Sequence, residues 1–450
     1  MTGRLVVLGG GAAGMSAASA ARRVDPDLEI VVLEATGWAA AGLCGLPYHL
    51  AGLVPRPEDL VAYPAAYFRE RRGLDLRTGV TVRRLDAAAR VVDTADGPLG
   101  YTAVVVATGG APATLPLPDL GGRPSFAVRT VEDLVALRTL LDTGAVRRAL
   151  VIGAGYIGLE TAEALAHRGV AVTVAERLAR VLPTTVDPEP AAVVEEHVRE
   201  HLRDRGDLRL GTDALALAAD PSFDVVVVCT GVRPAAAVAA QAGAHTGPGG
   251  ALLVDDRMRT SLPHVLAAGD CIAPHHRVLG GPAFVPLGPT ANKTGRVAGT
   301  VAAGGDARFA GVVGTAVVKV FDLEVARTGL TLAEAEAAGL PAVAQDVVSR
   351  SRAKYYPGVR PVHVRLVHEP GGRLLGAQMV GVEGAAKRID VIAAALHAEL
   401  SVDDLADLDL SYAPPYAPVY DPVLAVAQAA QRDLRDAQRS VAGPSSLAAR

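Results

Sequence analysis

Residues Leu5–Gly14, LVVLGGGAAG, are an apolar run that leads into three spaced glycines, Gly9, Gly11 and Gly14. A strand, a GxGxxG turn and a helix form the dinucleotide-binding pattern. Its first glycine allows a tight turn, the second lets the backbone approach a pyrophosphate, and the third lets helix and strand pack closely. The helix N-terminus then holds the phosphates. The next apolar run ends at Glu34, where an acid can bind ribose hydroxyls.

The same unit occurs a second time, from Ala149 to Glu176. Its glycines, Gly153, Gly155 and Gly158, have the same spacing and are followed by a helical pattern and a second strand. Two coincidental turns would leave both acids unexplained, so the repeat predicts two dinucleotide sites.

Length and composition narrow the class of protein. About 150 residues per domain gives roughly three domains for 450 residues. The formal net charge of −4 offers no positive field for a nucleic acid. The long uncharged stretch 35–55 contains glycines and prolines that would interrupt a membrane span, and the first residues do not form a signal peptide. We therefore expect a cytoplasmic protein with neither a nucleic-acid nor a membrane partner.

The three cysteines, Cys44, Cys229 and Cys271, are widely spaced. This spacing predicts neither a disulfide framework nor a metal cluster. His49 and the pair 275–276 also lack ligand spacing, so no metal site is expected.

Further strands return the chain to each nucleotide unit. They end at Ala107-Thr108-Gly109, at Thr230-Gly231 and at Ala268-Gly269-Asp270, the last placing an acid beside a glycine. After about residue 312 the pattern changes to apolar alternation and helix without a nucleotide loop, which indicates a separate α+β domain. The polar end of the chain favours a helix that frays into a disordered tail.

On these residues the chain resembles the flavin-dependent pyridine nucleotide-disulfide oxidoreductases, a resemblance that extends to Pro286–Lys293. Within that family, Cys44-Gly45-Leu46-Pro47-Tyr48 resembles the single-cysteine branch of coenzyme A disulfide reductases, NADH oxidases and NADH peroxidases. The resemblance implies an α/β fold of two Rossmann-like domains and a carboxyl-terminal α+β dimerisation domain, in a homodimer. The expected boundaries are 1–111 with 250–311 for FAD, 112–249 for NAD(P)H, 312–435 for dimerisation, and 436–450 for the tail.

The resemblance also implies the cofactor-binding residues. For FAD they are Gly9, Gly11, Ala12, Ala13, Gly14, Glu34, Ala107, Thr108, Gly109, Asp270 and Pro286. For the nicotinamide dinucleotide they are Gly153, Gly155, Tyr156, Ile157, Gly158, Glu160, Glu176 and Gly231. Glu176 favours NADH because a carboxylate repels a 2′-phosphate, a preference that Arg177 and Arg180 would weaken.

Cys44 is the expected catalytic residue. Pro47 fits the opening of a helix, so Cys44 would lie just before a helix N-terminus, where the dipole lowers the pKa of a thiol. Without a second thiol nearby, Cys44 must form its disulfide with an external thiol or become a sulfenic acid. The alternative is an inert packed thiol.

Two features favour a disulfide as the substrate. The oxidases and peroxidases that the chain resembles carry a histidine in the first glycine loop, and residues 10–14 contain none. Tyr412, with one of Tyr355 or Tyr356, resembles the tyrosines that reach the partner subunit's cysteine in coenzyme A disulfide reductases. The alternative is that these tyrosines pack at a dimer interface. Arg23 and Arg72 would bind coenzyme A phosphates, or else lie on a solvated face.

The expected activity is NAD(P)H-dependent reduction of a small-molecule disulfide or persulfide, with coenzyme A disulfide as the leading substrate. Ala40 and Leu43 replace the serine and asparagine of the subgroup's pattern and make the pocket more apolar. The alternatives are an NADH oxidase or peroxidase that cycles through a sulfenic acid, a reductase of an electron-transfer protein, and a non-catalytic NADH sensor.

Overall fold

The structure is a computed structural model, and it describes residues 3–442. The first part of the chain contains β1 (Arg4–Leu8), α1 (Ala12–Val24), β2 (Glu29–Glu34), α2 (Leu46–Leu50), β3 (Asp75–Thr78), β4 (Val82–Asp86), β5 (Val91–Thr94), β6 (Gly97–Gly100), β7 (Ala103–Val106) and β8 (Gly110–Pro112). Next come β9 (Ser125–Ala127), α3 (Val131–Asp142), β10 (Arg148–Ile152), α4 (Tyr156–His167), β11 (Ala171–Ala175), α5 (Pro188–Leu202), β12 (Asp207–Arg209), α6 (Ala214–Ala218), β13 (Val225–Val228) and β14 (Val232–Pro234).

The chain continues with α7 (Ala237–Ala240), β15 (Leu252–Leu253), β16 (Val265–Ala267), β17 (Ile272–Ala273), β18 (His275–His276), β19 (Gly281–Pro282) and α8 (Gly288–Ala302). The last part contains β20 (Ala316–Val320), β21 (Leu323–Gly329), α9 (Leu332–Ala337), β22 (Val343–Arg350), β23 (Pro361–His368), β24 (Leu374–Gly381), α10 (Ala385–His397), α11 (Val402–Ala406) and α12 (Pro422–Ala442). None of these helices is both long and apolar enough to cross a membrane.

The first nucleotide domain is built on a parallel sheet in the order β16-β7-β1-β2-β3. Its central strands are buried on both faces, as parallel strands covered by helices require. Because β16 pairs with β7 in this sheet although more than 150 residues separate them, the domain is discontinuous in sequence. The second nucleotide domain repeats the design, with the order β12-β11-β10-β13-β9.

The two domains are joined by two short strands that run side by side. β8 leaves the first domain and β14 returns to it, and the antiparallel pair places Gly110 opposite Pro234. After β14 the chain packs into the core of the first domain through Ala236, Ala239 and Ala244. The return therefore comes before the boundary expected at residue 250, because the crossing strands are too short to stand out in the sequence.

The carboxyl-terminal domain is an antiparallel sheet in the order β20-β21-β24-β23-β22. Helices α10 and α12 pack on it through Ile389, Ile392, Val423 and Val426. The final helix continues to Ala442, so residues 436–442 are helical and not part of a disordered tail. A 3.6-residue apolar period from Val423 to Leu434 carries this helix further than its polar end suggested. The rest of the expected tail, 443–450, lies outside the described residues. The α/β fold with two nucleotide domains and a third α+β domain is confirmed.

One hydrophobic core connects all three domains. It is centred on the second nucleotide sheet, but it also includes Leu46 and Leu50 of α2 from the first domain, and Val318 and Val325 from the carboxyl-terminal sheet. The segment that carries Cys44 therefore packs against the second nucleotide domain.

Candidate active site

Both glycine turns have the geometry that their spacing predicts. Gly9 has φ +106°, and a Cβ on Gly14 would lie 1.8 Å from the Gly9 carbonyl oxygen. Gly153 and Gly158 repeat this, with φ +107° at the first and a Cβ distance of 1.9 Å at the second. No larger residue fits at the third glycine, because the helix packs directly on the turn.

The middle glycine of each turn faces open space. A Cβ on Gly11 or on Gly155 would meet no protein atom within 4 Å, and each residue immediately precedes the first turn of a helix, α1 or α4. Exposed backbone N–H groups at a helix N-terminus are what a pyrophosphate binds. The residues present therefore fit a dinucleotide at each turn. Ala12 and Ala13 begin α1, and Tyr156 and Ile157 begin α4.

The two acids are held in the same way. Glu34 accepts hydrogen bonds from the Gly10 N–H at 2.7 Å and from the Thr36 N–H at 2.8 Å. Glu176 accepts from the Ala154 N–H at 3.0 Å and from the Leu178 N–H at 2.9 Å. Each carboxylate thus joins its glycine turn to the end of the second strand, where ribose hydroxyls bind in this fold.

The other residues expected at FAD lie at the ends of neighbouring strands. Ala107, Thr108 and Gly109 follow β7, and the Thr108 hydroxyl donates to the Ala235 carbonyl at 2.6 Å. Asp270 follows β16 and lies 3.4 Å from the Arg129 guanidinium. Pro286 precedes α8, and Gly231 lies between β13 and β14 with φ +108°.

Cys44 lies in a short 3-10 turn, Leu43–Gly45, that leads into α2. The turn is fastened to the following segment by the Gly42 N–H, which donates to the Leu60 carbonyl at 2.8 Å. Ala40, at φ +57°, donates its N–H to the Gly10 carbonyl at 2.8 Å, so the cysteine loop and the first glycine turn are in direct contact.

The expected lowering of the pKa of Cys44 is wrong for the protein without its cofactors. The surrounding protein partly shields the exposed Cys44 side chain from water. This desolvation, together with the charges of Glu160 and Asp270, raises the pKa above its usual value, and the opposing charge of Arg129 is smaller in effect. The helix that follows has only five residues, so its macrodipole is small, whereas desolvation and two carboxylates act on the thiol.

Tyr156 and Glu160 lie one turn apart on α4 and so share a face of this helix, and the charge of Glu160 acts on Cys44. Burial and the neighbouring Glu163 raise the pKa of Glu160 to about 7. The Tyr156 hydroxyl is buried and has no hydrogen-bond partner among the described residues. Burial also raises the pKa of this hydroxyl, so it stays protonated and available as a donor.

The structure brings two of the three expected tyrosines together. The hydroxyls of Tyr355 and Tyr412 are 3.3 Å apart, and both side chains are exposed. Tyr356 instead lies beside Arg352, whose guanidinium is 5.6 Å from the ring centre. Among the hydrogen bonds of residues 3–442, none connects these hydroxyls to Cys44.

The two expected phosphate-binding arginines lie near the end of α1. Arg22 donates to the carbonyls of Arg72 and Gly73, so this helix end and the segment before β3 are adjacent. Arg23 is exposed there, and Arg72 lies over the Tyr67 ring at 5.6 Å.

The expectation of no metal site overlooked one cluster. His197 and His201 lie four residues apart on α5, and the fold places Asp322 beside them. The HxxxH spacing within a helical pattern was the available signal, but no sequence pattern connects it to the acid.

Comparisons with known proteins agree with this geometry. Residues 3–295 match the family model described as pyridine nucleotide-disulphide oxidoreductase, and residues 315–422 match its dimerisation domain. The chain is 37% identical over 439 residues to an NAD(P)H sulfur oxidoreductase (CoA-dependent) of Pyrococcus abyssi, a match that covers 94% of this chain and 97% of the relative.

Two further proteins extend the comparison. A coenzyme A disulfide reductase of Staphylococcus haemolyticus is 29% identical over 431 residues, covering 92% of this chain and 96% of that protein. The solved structure of an NAD-dependent persulfide reductase from A. fulgidus is 38% identical with a TM-score of 0.90, covering 96% of this chain and 84% of that one. The chain belongs to the pyridine nucleotide-disulphide oxidoreductases, and it is an FAD-dependent enzyme that uses a pyridine nucleotide.

Proposed function

We propose that the chain is an FAD-dependent NAD(P)H reductase of coenzyme A disulfide or of a coenzyme A persulfide, with Cys44 as its redox-active residue. The names of the relatives support this substrate class, since they include a coenzyme A disulfide reductase, a CoA-dependent sulfur oxidoreductase and a persulfide reductase. The dimerisation domain supports a homodimer. A cytoplasmic location stays a prediction.

The observation that carries the proposal is the difference among the three free cysteines. Cys44 is exposed, whereas Cys229 and Cys271 are buried. Burial raises the pKa of Cys229 to about 12 and that of Cys271 to about 11, so these two remain protonated at neutral pH. Of the three cysteines, Cys44 is the one whose sulfur an external disulfide can reach.

The chemistry at Cys44 is thiol-disulfide exchange. Its thiolate attacks one sulfur of the external disulfide, a new S–S bond forms at Cys44, and the other half leaves as a thiolate. Two electrons from NAD(P)H and one proton then return the mixed disulfide to the Cys44 thiolate and a free thiol. FAD, when bound by the first glycine turn, Glu34 and Asp270, supplies the two-electron transfer between nicotinamide and sulfur.

The other candidate residues bind coenzyme A or the nicotinamide, or protonate the leaving thiolate. The hydroxyls of Tyr355 and Tyr412 form one pair of donors, which we assign to the Cys44 of the second subunit, where a phenol protonates the leaving thiolate. Arg23 and Arg72 bind the phosphates of coenzyme A. Glu160 and Tyr156 line the nicotinamide side.

The test is the intact mass of the protein, denatured without reductant, before and after anaerobic NADH. A coenzyme A adduct that NADH removes, and that Cys44→Ser lacks, would support reduction of coenzyme A disulfide. An adduct of extra sulfur atoms would favour the persulfide. Oxygen atoms alone, together with rapid oxygen consumption, would indicate an oxidase, and turnover retained in Cys44→Ser would indicate a reductase of an electron-transfer protein.

A further inference from the structure

We propose that His197, His201 and Asp322 bind one zinc ion that connects the second nucleotide domain to the carboxyl-terminal domain. The two histidines lie on α5, and Asp322 lies in the turn between β20 and β21. One ligand atom from each residue lies within 4.8 Å of the others. The ion would lie outside the site at Cys44 and would act on stability.

The distances suit a small tetrahedral ion. His197 Nε2 is 2.6 Å from Asp322 Oδ1, and His201 Nε2 is 3.6 Å from the same oxygen. Zinc bonds of 2.0–2.2 Å place neighbouring ligand atoms about 3.3 Å apart, so the His201 contact is near that spacing and the His197 contact has to lengthen by about 0.7 Å. Two nitrogens and one carboxylate oxygen are ligands that zinc accepts, with water as the fourth.

The tautomer of His201 is already that of a metal ligand. Its Nδ1 is 2.9 Å from the His197 carbonyl oxygen, which can only accept, so Nδ1 carries a proton and Nε2 is the nitrogen left to face the ion. A hydrogen bond from the second ring nitrogen to a backbone carbonyl is the usual support of a ligating histidine. The His201 ring also stacks on Phe321 at 4.6 Å, which fixes its orientation.

His197 has a nitrogen that is buried and not hydrogen-bonded. Its Nε2 approaches Asp322 as an ion-pair contact but lacks hydrogen-bond geometry among the described residues. A buried ring nitrogen without a hydrogen-bond partner is available to bind a metal ion.

The turn that carries Asp322 is held in place by the second nucleotide domain. Glu163 of α4 accepts the Phe321 N–H at 2.7 Å and also pairs with Lys319. The third ligand is therefore positioned before any ion arrives, so that binding costs little rearrangement.

The experiment uses untagged holoenzyme in which iodoacetamide has blocked Cys44, so that its thiol does not bind the metal. After chelator treatment and desalting, ZnCl₂ is added, and bound zinc is measured by equilibrium dialysis alongside the thermal midpoint. We expect one saturable equivalent per chain and a higher midpoint. His201→Gln and Asp322→Asn should each weaken binding by at least about tenfold. X-ray absorption should show nitrogen and oxygen ligands at about 2.0–2.2 Å.

His167→Gln is the matched control, because His167 is an exposed histidine at the end of α4, outside the cluster. It should bind zinc as the unsubstituted chain does. Since the substituted side chains are partly or fully exposed, circular dichroism before zinc addition should be unchanged. The proposal would be overturned if the unsubstituted chain bound no zinc saturably. It would also be overturned if His201→Gln and Asp322→Asn bound zinc as tightly as the unsubstituted chain.

Discussion

Cys44 shows how strongly a single thiol depends on charges from distant parts of the sequence. Desolvation of the thiol and the charges of Glu160 and Asp270 all raise its pKa, so the thiolate appears at higher pH than it does for a free cysteine. Since the thiolate is the deprotonated form, raising the pKa lowers the reactive fraction at neutral pH, and reactivity increases as the pH rises.

Glu160→Gln removes one of these charges and should lower the pKa of Cys44. In the flavin-free protein we expect the rate of Cys44 alkylation at pH 8 to increase by about two- to tenfold, because Glu160, whose own pKa is about 7, is ionised there. The pKa of Cys44 is measured from the pH dependence of the rate of iodoacetamide alkylation. Glu58→Gln, an exposed carboxylate, is the control. An unchanged profile would show that Glu160 does not act on the thiol.

The tyrosine pair allows a separate test of the protonation step. Tyr355→Phe and Tyr412→Phe should each lower kcat for disulfide reduction by about 10²-fold, the usual contribution of a general acid. Reduction of the flavin by NADH, followed by stopped-flow absorbance, should be unchanged. Tyr416→Phe is the control, since the Tyr416 hydroxyl is not part of the Tyr355–Tyr412 pair. Slow flavin reduction in Tyr355→Phe or Tyr412→Phe would contradict the assignment.

The glycines and both acids could be predicted because their requirements are local. A turn that needs φ near +106° accepts only glycine, and so does a position where a Cβ would lie 1.8 Å from a carbonyl oxygen. Neither requirement depends on distant sequence. The raised pKa of Cys44 could not be predicted, because Glu160 and Asp270 lie far along the chain from it. The sequence also could not show which of Tyr355 and Tyr356 meets Tyr412, because 57 residues separate the pair that forms.

Helices α1 and α8 pack closely because α8 presents glycines to α1. A Cβ on Gly295 would lie 2.2 Å from the Ala13 carbonyl oxygen, and one on Gly299 would lie 1.9 Å from that of Ala17. These contacts hold the start of α1, and with it the first glycine turn, against the rest of the domain.

Gly299→Ala should therefore separate the two helices. We expect it to lower the free energy of unfolding of the first nucleotide domain by about 1–3 kcal/mol, the usual cost of overpacking, and to weaken FAD retention. Denaturant titration with flavin fluorescence measures both. Arg296→Ala, on the exposed face of α8, should change neither. Equal stability of the two variants would show that the backbone shifts freely here.

Element order was predictable from strand, turn and helix patterns, and the two parallel sheets confirm it. The crossing pair β8 and β14 was missed, since three-residue strands leave no periodic pattern. The continuation of α12 to Ala442 was missed because its apolar period stops at Leu434 and mostly polar residues follow.

At the scale of the whole molecule, a buried polar cluster fastens the second nucleotide domain to the third. Asp187 is 2% exposed, accepts from the Gln378 amide at 2.6 Å and from the Leu332 N–H at 3.0 Å, and lies 3.2 Å from Arg365. A paired buried charge of this kind is costly to break from one side.

Asp187→Asn should loosen this connection. We expect the free energy of opening at the start of α9, measured by hydrogen exchange, to decrease by about 3 kcal/mol. Glu189→Gln removes an exposed partner of the same arginine and should cost less than about 1 kcal/mol. A similar loss in both variants would mean that Arg365, rather than Asp187, holds the domains together.

The antiparallel pair of Gly110 and Pro234 makes the second nucleotide domain an insertion whose two ends meet. A homologous module could be grafted at that pair to change nicotinamide preference without rerouting the chain. However, Leu46 and Leu50, just after Cys44, are packed into that module's core. A graft that did not preserve the contacts of these two side chains would change the nicotinamide-binding domain and would also displace Cys44, the residue that receives the electrons.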